Sequence, residues 1–199
     1  QSLSHDALQS ANLFFDAFGD RLRFIHIVRD PVDIIYEWVR RGFGERIGTD
    51  GQEVQLSRAW GREVVPLYAI GWEDEYLSIT PTERVIKMVK TAFDDTAAGY
   101  AKLTEDRQSQ VLFLLFDEFV VNPNPWCQEI AGWLKTTVTR RTNSRLKKEQ
   151  CPRTIPRDQR PSRVEDIRAK ASEKYMDILE EHTERYWELF SRHSLESKA

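Results

Sequence analysis

Apolar residues along this chain fall into two short runs without helical spacing and several stretches that keep it. Residues 24–28, Phe-Ile-His-Ile-Val, form a run interrupted only by His26, and 111–116, Val-Leu-Phe-Leu-Leu-Phe, form a continuous one. Such runs predict strands buried on both faces. Behind the first, Asp30 is placed to cap a helix and Pro31 has the φ its first position needs. Ile34, Ile35, Trp38, Val39 and Phe43 then recur at helical spacing, with Asp33, Glu37, Arg40 and Arg41 on the other face. A strand running through a tight turn into an amphipathic helix is the pattern around which the rest is arranged.

The remaining periodicity predicts mostly helix. Ser4 is placed to cap a first helix with Leu8, Ala11, Phe14, Phe15 and Phe18 on one face and Gly19 as its stop. Residues 55–76 read as a helix kinked at Pro66, or two short ones, with Trp60, Tyr68, Trp72 and Tyr76 as packing residues. Thr80, Pro81 and Glu83 form a capping box that opens a long helix to about Leu103. A short helix follows Asn122-Pro123, and Ser162 with Glu165 forms a second box. That box opens one closing helix whose face is Val164, Ile167, Tyr175, Ile178, Leu179, Tyr186 and Leu189. Strand, helices and strand in this order predict a parallel pair with a right-handed connection, in one α/β domain over 1–199.

Composition narrows the function classes. The net charge is −3 with both signs interspersed, so no overall pull on nucleic acid or anionic membrane is indicated, and an anion site must be local. The basic stretch from Arg140 to Arg168 is the exception. Cys127 and Cys151 match no metal or redox spacing and read as free thiols, and no metal is called for. No run approaches about 18 apolar residues and no signal segment is present. The expectation is a soluble chain, cytoplasmic by preference, with a Golgi lumen left open.

Arg29 carries the first candidate chemistry. It stands at the carboxyl end of the predicted strand, where open α/β sheets bind ligands, and just before a helix start, which favours anions. The alternative is that Arg29 pairs with Asp30, Asp33 or another carboxylate and only stiffens the turn. With these residues in view, the phrase IHIVRDPVD resembles the second nucleotide-binding segment of sulfotransferases that use 3′-phosphoadenosine-5′-phosphosulfate (PAPS), and FDEFVVNP resembles their Tyr-Glu-Asp-Leu-x-x-Asp-Pro segment. The resemblance implies that Arg29 binds the donor's 3′-phosphate and that Phe116, in place of a tyrosine, touches the adenine, with core packing as its alternative. It also implies that the basic stretch 140–160 is a loop over the donor, with Lys148, Arg153 and Arg160 as its contacts, a solvated linker being the alternative. His5 stands roughly where some members carry a catalytic base, though it also reads as a solvent-facing histidine at a helix start. His26 reads as a core histidine, and His182 and His193 as members of a polar terminal region.

Two departures qualify the resemblance. Glu37 replaces the serine that usually completes the phosphate site, and its carboxylate either opposes the phosphate or pairs with Arg41 one turn on. The glycine-rich loop that holds the 5′-phosphosulfate is absent from the sequence, which has no glycine followed by lysine. The reading is therefore a partial P-loop-like three-layer fold, with a short parallel sheet and a mainly helical remainder, from an N-terminally incomplete sulfotransferase. It would transfer a sulfuryl group from PAPS to a hydroxyl on a small molecule or carbohydrate, and the oligomeric state is open. The alternatives are a non-catalytic binding module derived from that family and a nucleotide or sugar kinase of the P-loop class.

Overall fold

The computed structural model describes residues 7–45, 56–155 and 157–195. In chain order the helices are α1 (Ala11–Phe18), α2 (Pro31–Arg40), α3 (Glu73–Ser78), α4 (Pro81–Ala101), α5 (Glu105–Gln108), α6 (Phe116–Val121), α7 (Pro123–Trp133), α8 (Arg140–Lys148), α9 (Arg160–Arg168) and α10 (Glu173–His193). The strands are β1 (Phe24–Val28), β2 (Ser57–Trp60), β3 (Glu63–Pro66) and β4 (Val111–Leu115). Among the described residues no helix is long and apolar enough to cross a membrane. The chain divides into two compact units, one of residues 1–30, 95–157 and 186–199, the other of 31–94 and 158–185.

The first unit holds the parallel pair that the two apolar runs predict. β1 and β4 run side by side in the register Phe24↔Val111 to Val28↔Leu115. Phe15, Val28, Leu103, Phe113, Leu115, Trp126 and Tyr186 form the core beside them. Only one strand is as buried as its sequence suggests. β4 is buried along nearly its whole length, whereas Ile25 and Ile27, which share one face of β1, are 41% and 55% exposed. Asp117 and Glu118, directly after β4, are also buried. The Asp117 Oδ2 accepts from the Tyr186 hydroxyl at 2.9 Å, and the Glu118 carboxylate accepts from Trp126 Nε1 at 3.2 Å and from the Ser194 hydroxyl.

In the second unit α2 begins at Pro31 as expected, and Val32, Ile35, Val85, Ile86, Val89, Tyr175, Met176 and Leu179 form one core. The capping box of α4 is made reciprocally: Thr80 N–H donates to Glu83 Oε2 at 2.9 Å, and Glu83 N–H to Thr80 Oγ1 at 3.3 Å. Residues 57–66 are not helical. They form a β2–β3 hairpin turned at Gly61 and Arg62, with Gly61 at φ +63° in the position where a tight hairpin turn takes glycine. A helix through Gly61 and Pro66 would lose about 1 and 3 kcal/mol of propensity, while Val64 and Val65 suit a strand. The expected aromatic packing survives, with Tyr76 buried beside Val65 and Met88 and Trp60, Tyr68 and Trp72 against them.

Two further expectations on helices are corrected. The single closing helix is two, α9 and α10, and Ser162 lies inside α9 with its hydroxyl on the Gln159 carbonyl at 2.9 Å instead of capping it. The break is held by Glu83, whose Oε1 accepts from Ser172 N–H at 2.9 Å and from the Ser172 hydroxyl at 2.6 Å. Half of the expected basic loop is helix α8, because Arg, Lys and Leu are good helix formers and Thr139 N–H is capped by Thr142 Oγ1 at 3.3 Å. The proposed Ser4 cap lies outside the described residues.

Candidate functional site

The β1–β4 register fixes what comes next along each strand. Since Val28 pairs with Leu115, Arg29 and Phe116 leave the carboxyl edge of the sheet side by side. That edge is where parallel α/β sheets place ligands. The Arg29 guanidinium lies over the Phe116 ring, its Cζ 5.1 Å from the centroid. Arg153, 37 residues further on, reaches the same ring at 5.5 Å and is anchored by its own backbone, with Arg153 N–H donating to the Val120 carbonyl at 2.8 Å. Three of the residues singled out from sequence therefore converge within the first unit.

The environment of these cations is unusual. Arg29 is half-buried and its Nε is buried without a hydrogen-bond partner, a state that costs free energy unless something accepts from it. Among the described residues neither Arg29 nor Arg153 forms an ion pair, so the stiffened-turn alternative, in which Arg29 pairs with Asp30 or Asp33, is not what is found. Asp33 instead pairs with Arg163 at 2.5 Å within the second unit. Two guanidiniums sharing one aromatic ring repel each other, and the ring's quadrupole offsets only about 0.5–2 kcal/mol per cation. An anion between or beside them would neutralise that repulsion and supply the missing acceptor.

The supporting carboxylates were not among the residues expected to matter. Asp117 Oδ2 accepts from the Asp30 backbone N–H at 3.4 Å, which ties the exit of β1 to the start of α6. Glu118 anchors α6 to Trp126 and to Ser194 and Leu195. Their only signal in the sequence is a pair of acids wedged between two apolar runs, a pattern that reads equally as a solvated turn.

Lys148 closes α8, is exposed, and its side chain has no hydrogen bond, ion pair or ring contact among the described residues. Arg160 opens α9 in the second unit with its Nη2 buried. Glu37 pairs with Arg40 at 3.5 Å, one residue short of the Arg41 that its spacing suggested. His5 lies outside the described residues. His26 is half-buried with its ring 5.6 Å from Phe113, and His193 lies 4.8 Å from the same ring. No protein-family model, no curated protein and no solved structure matches the chain.

Proposed function

We propose that the chain carries the 3′-phosphonucleotide end of a PAPS-dependent sulfotransferase site, in a P-loop-like three-layer fold. The observation that carries the reading is the convergence of Arg29, Phe116 and Arg153 at the carboxyl edge of the parallel pair, with Arg29 Nε buried and unsatisfied. Arg29 is the contact for the 3′-phosphate, with Arg153 as a second cation on the same group. Phe116 is the shelf that holds both guanidiniums, and its ring contacts are with these cations, so an adenine stacked on it would share the ring with them. PAPS supplies the sulfuryl group. In the transfer, the acceptor hydroxyl oxygen forms the new bond to sulfur as the bond from sulfur to the 5′-phosphate oxygen breaks. The acceptor proton passes to a base, for which His5 is the candidate, and the leaving nucleotide is held through its 3′-phosphate.

Calorimetric titration with adenosine 3′,5′-bisphosphate, adenosine 5′-monophosphate and ATP tests the nucleotide reading. The 3′-phosphorylated nucleotide should bind at least tenfold tighter than the other two. Arg29→Ala should remove about 1.5–3 kcal/mol of its binding, the range for a hydrogen bond to a charged group, with the melting temperature little changed. Equal affinity for all three nucleotides would overturn the reading, and tightest binding of ATP would favour a kinase. A chain that binds the 3′-phosphonucleotide but, together with any preceding segment of its gene product, transfers no sulfuryl group from PAPS is the binding module.

A further inference from the structure

Two helices carry exposed charge of opposite sign that the nucleotide reading does not use. In the first unit, α8 holds five cations and no acid. Thr142, Arg145 and Leu146 line an apolar pocket together with Phe119, Cys127 and Ile130, so the other side of α8 points outward. At about 3.6 residues per turn that side presents Arg140, Arg141, Lys147 and Lys148 with Ser144 between them, and all five are exposed. Among the described residues none of the four cations forms an ion pair.

In the second unit, residues 173–184 of α10 show the converse. Glu173, Asp177, Glu180 and Glu184 recur about one turn apart on one stripe, with Glu181 beside them, and all are exposed. The one cation of that stretch, Lys174, is held by Glu75 at 2.7 Å. Glu180 has Arg168 at 3.3 Å and Glu181 has Arg185 at 4.0 Å, whereas Glu173, Asp177 and Glu184 form no ion pair among the described residues. Like charges a turn apart repel, so each stripe is unfavourable alone and is relieved by the other.

The two stripes also match in spacing. Arg140 and Lys147 stand seven residues apart on α8, as do Arg141 and Lys148; on α10 so do Glu173 and Glu180, and Asp177 and Glu184. Pairs of cations about 10.5 Å apart therefore meet pairs of carboxylates at the same separation. The outward side of α8 has no aromatic side chain to stack on a base and no apolar one to enter a bilayer, so its partner is recognised by charge and spacing.

We propose that this chain associates with itself, the outward side of α8 in one copy docking on the acidic stripe of α10 in a second copy. The contact is heterologous, since it joins two different surfaces, and it rests on exposed charge, so it is weak and falls steeply with salt. It uses none of Arg29, Phe116 and Arg153, and stands or falls apart from the nucleotide reading.

Sedimentation equilibrium of the full chain, without nucleotide, tests this. At about 20 mM NaCl the weight-average mass should rise above that of one chain with increasing concentration, and about 0.5 M NaCl should weaken the association at least tenfold. Arg140→Glu with Lys147→Glu should weaken it at least tenfold at low salt, and so should Asp177→Lys with Glu184→Lys. If the first pair does not fold, Arg141→Gln with Lys148→Gln removes charge from the same side. Mixing the α8 and α10 variants should restore association, because the unaltered α8 of one then meets the unaltered α10 of the other. Arg21→Glu with Lys102→Glu makes the same change in net charge at exposed positions elsewhere in the first unit and should leave association unchanged. A chain that stays monomeric at low salt, an association that survives 0.5 M NaCl, equal weakening by the Arg21 and Lys102 variant, or no recovery on mixing would each overturn the proposal. So would binding of duplex DNA or phosphatidylserine vesicles through Arg140 and Lys147 by a chain that does not self-associate, which would give this side of α8 to a different polyanion.

Discussion

His182 is buried in the second unit with its Nδ1 lacking a hydrogen-bond partner and its ring 4.6 Å from that of Phe93. Burial, with Arg185 and Lys90 close by and Asp94 opposing them, lowers its pKa from 6.5 to about 4. The folded state thus resists a proton that the unfolded chain accepts. The stability this protects is fully present above about pH 6.5 and is lost as pH falls toward 4, by up to ~3 kcal/mol, since each tenfold difference in proton affinity between the two states is worth ~1.4 kcal/mol. Urea titrations between pH 7 and 4.5 should show that fall, and His182→Phe, which keeps the contact with Phe93, should flatten it; an unchanged slope in that variant would remove His182 as the cause. Below about pH 4.5 a separate loss begins. Burial works to raise the Glu83 pKa, but hydrogen bonds from Ser172 and Thr80 outweigh it and hold the carboxyl at about 2. At this scale the sequence was legible where the backbone fixes an outcome, as with Pro31 after Asp30 or Thr80 facing Glu83. It was misread for His182: the charged residues on either side of it read as a polar terminal region, although it stands three residues after Leu179 and four before Tyr186, on the face whose spacing predicts burial.

Among elements, those announced by local signals are present, except that the Ser162–Glu165 box falls inside α9 instead of opening it, and those inferred from periodicity alone are revised. The two apolar runs are the parallel strands, whereas 57–66 is a hairpin because Gly61 and Pro66 weigh against helix more than Leu56, Trp60 and Val64 weigh for it. The closing region kept its helical period through residues 169–172, where the chain breaks because the Ser172 N–H and hydroxyl bond to Glu83, 89 residues upstream. No local pattern encodes a partner so distant. The break also alters which residues of α10 carry its packing. Met176 and Leu179 are 2% exposed while Ile178 is only half-buried. Leu179→Ala should cost about 2–4 kcal/mol of unfolding free energy. Ile178→Ala should cost clearly less, measured by urea denaturation at pH 7; the reverse order would mean that the other face of α10 is the packed one.

For the molecule as a whole, a net charge of −3 conceals a strong local imbalance. The cations of 135–153 stand against a remainder that is net acidic, and most of them are exposed rather than paired. Exposed unpaired charge acts through the summed field, which raises the encounter rate of an anionic ligand and weakens with salt over a Debye length of about 8 Å at physiological ionic strength. Buried or stacked charge acts at short range and governs how long the ligand stays. This separates two arginines from a lysine that the sequence placed together. Arg29, half-buried, and Arg153, itself exposed, meet on the Phe116 ring, whereas Lys148 at the end of α8 is exposed with no ring contact among the described residues. Chain order and charge type identified the basic stretch, but only the β1–β4 register and the Arg153 bond to Val120 select which of its cations reaches the site. Stopped-flow measurement of adenosine 3′,5′-bisphosphate binding, followed by tryptophan fluorescence, tests the distinction. Lys148→Glu should slow association severalfold at low salt, an effect that disappears near 0.5 M NaCl, and should leave the dissociation rate unchanged. Arg29→Ala should instead speed dissociation at least tenfold at either salt concentration. A tenfold change in dissociation rate for Lys148→Glu would put Lys148 in direct contact with the bound nucleotide.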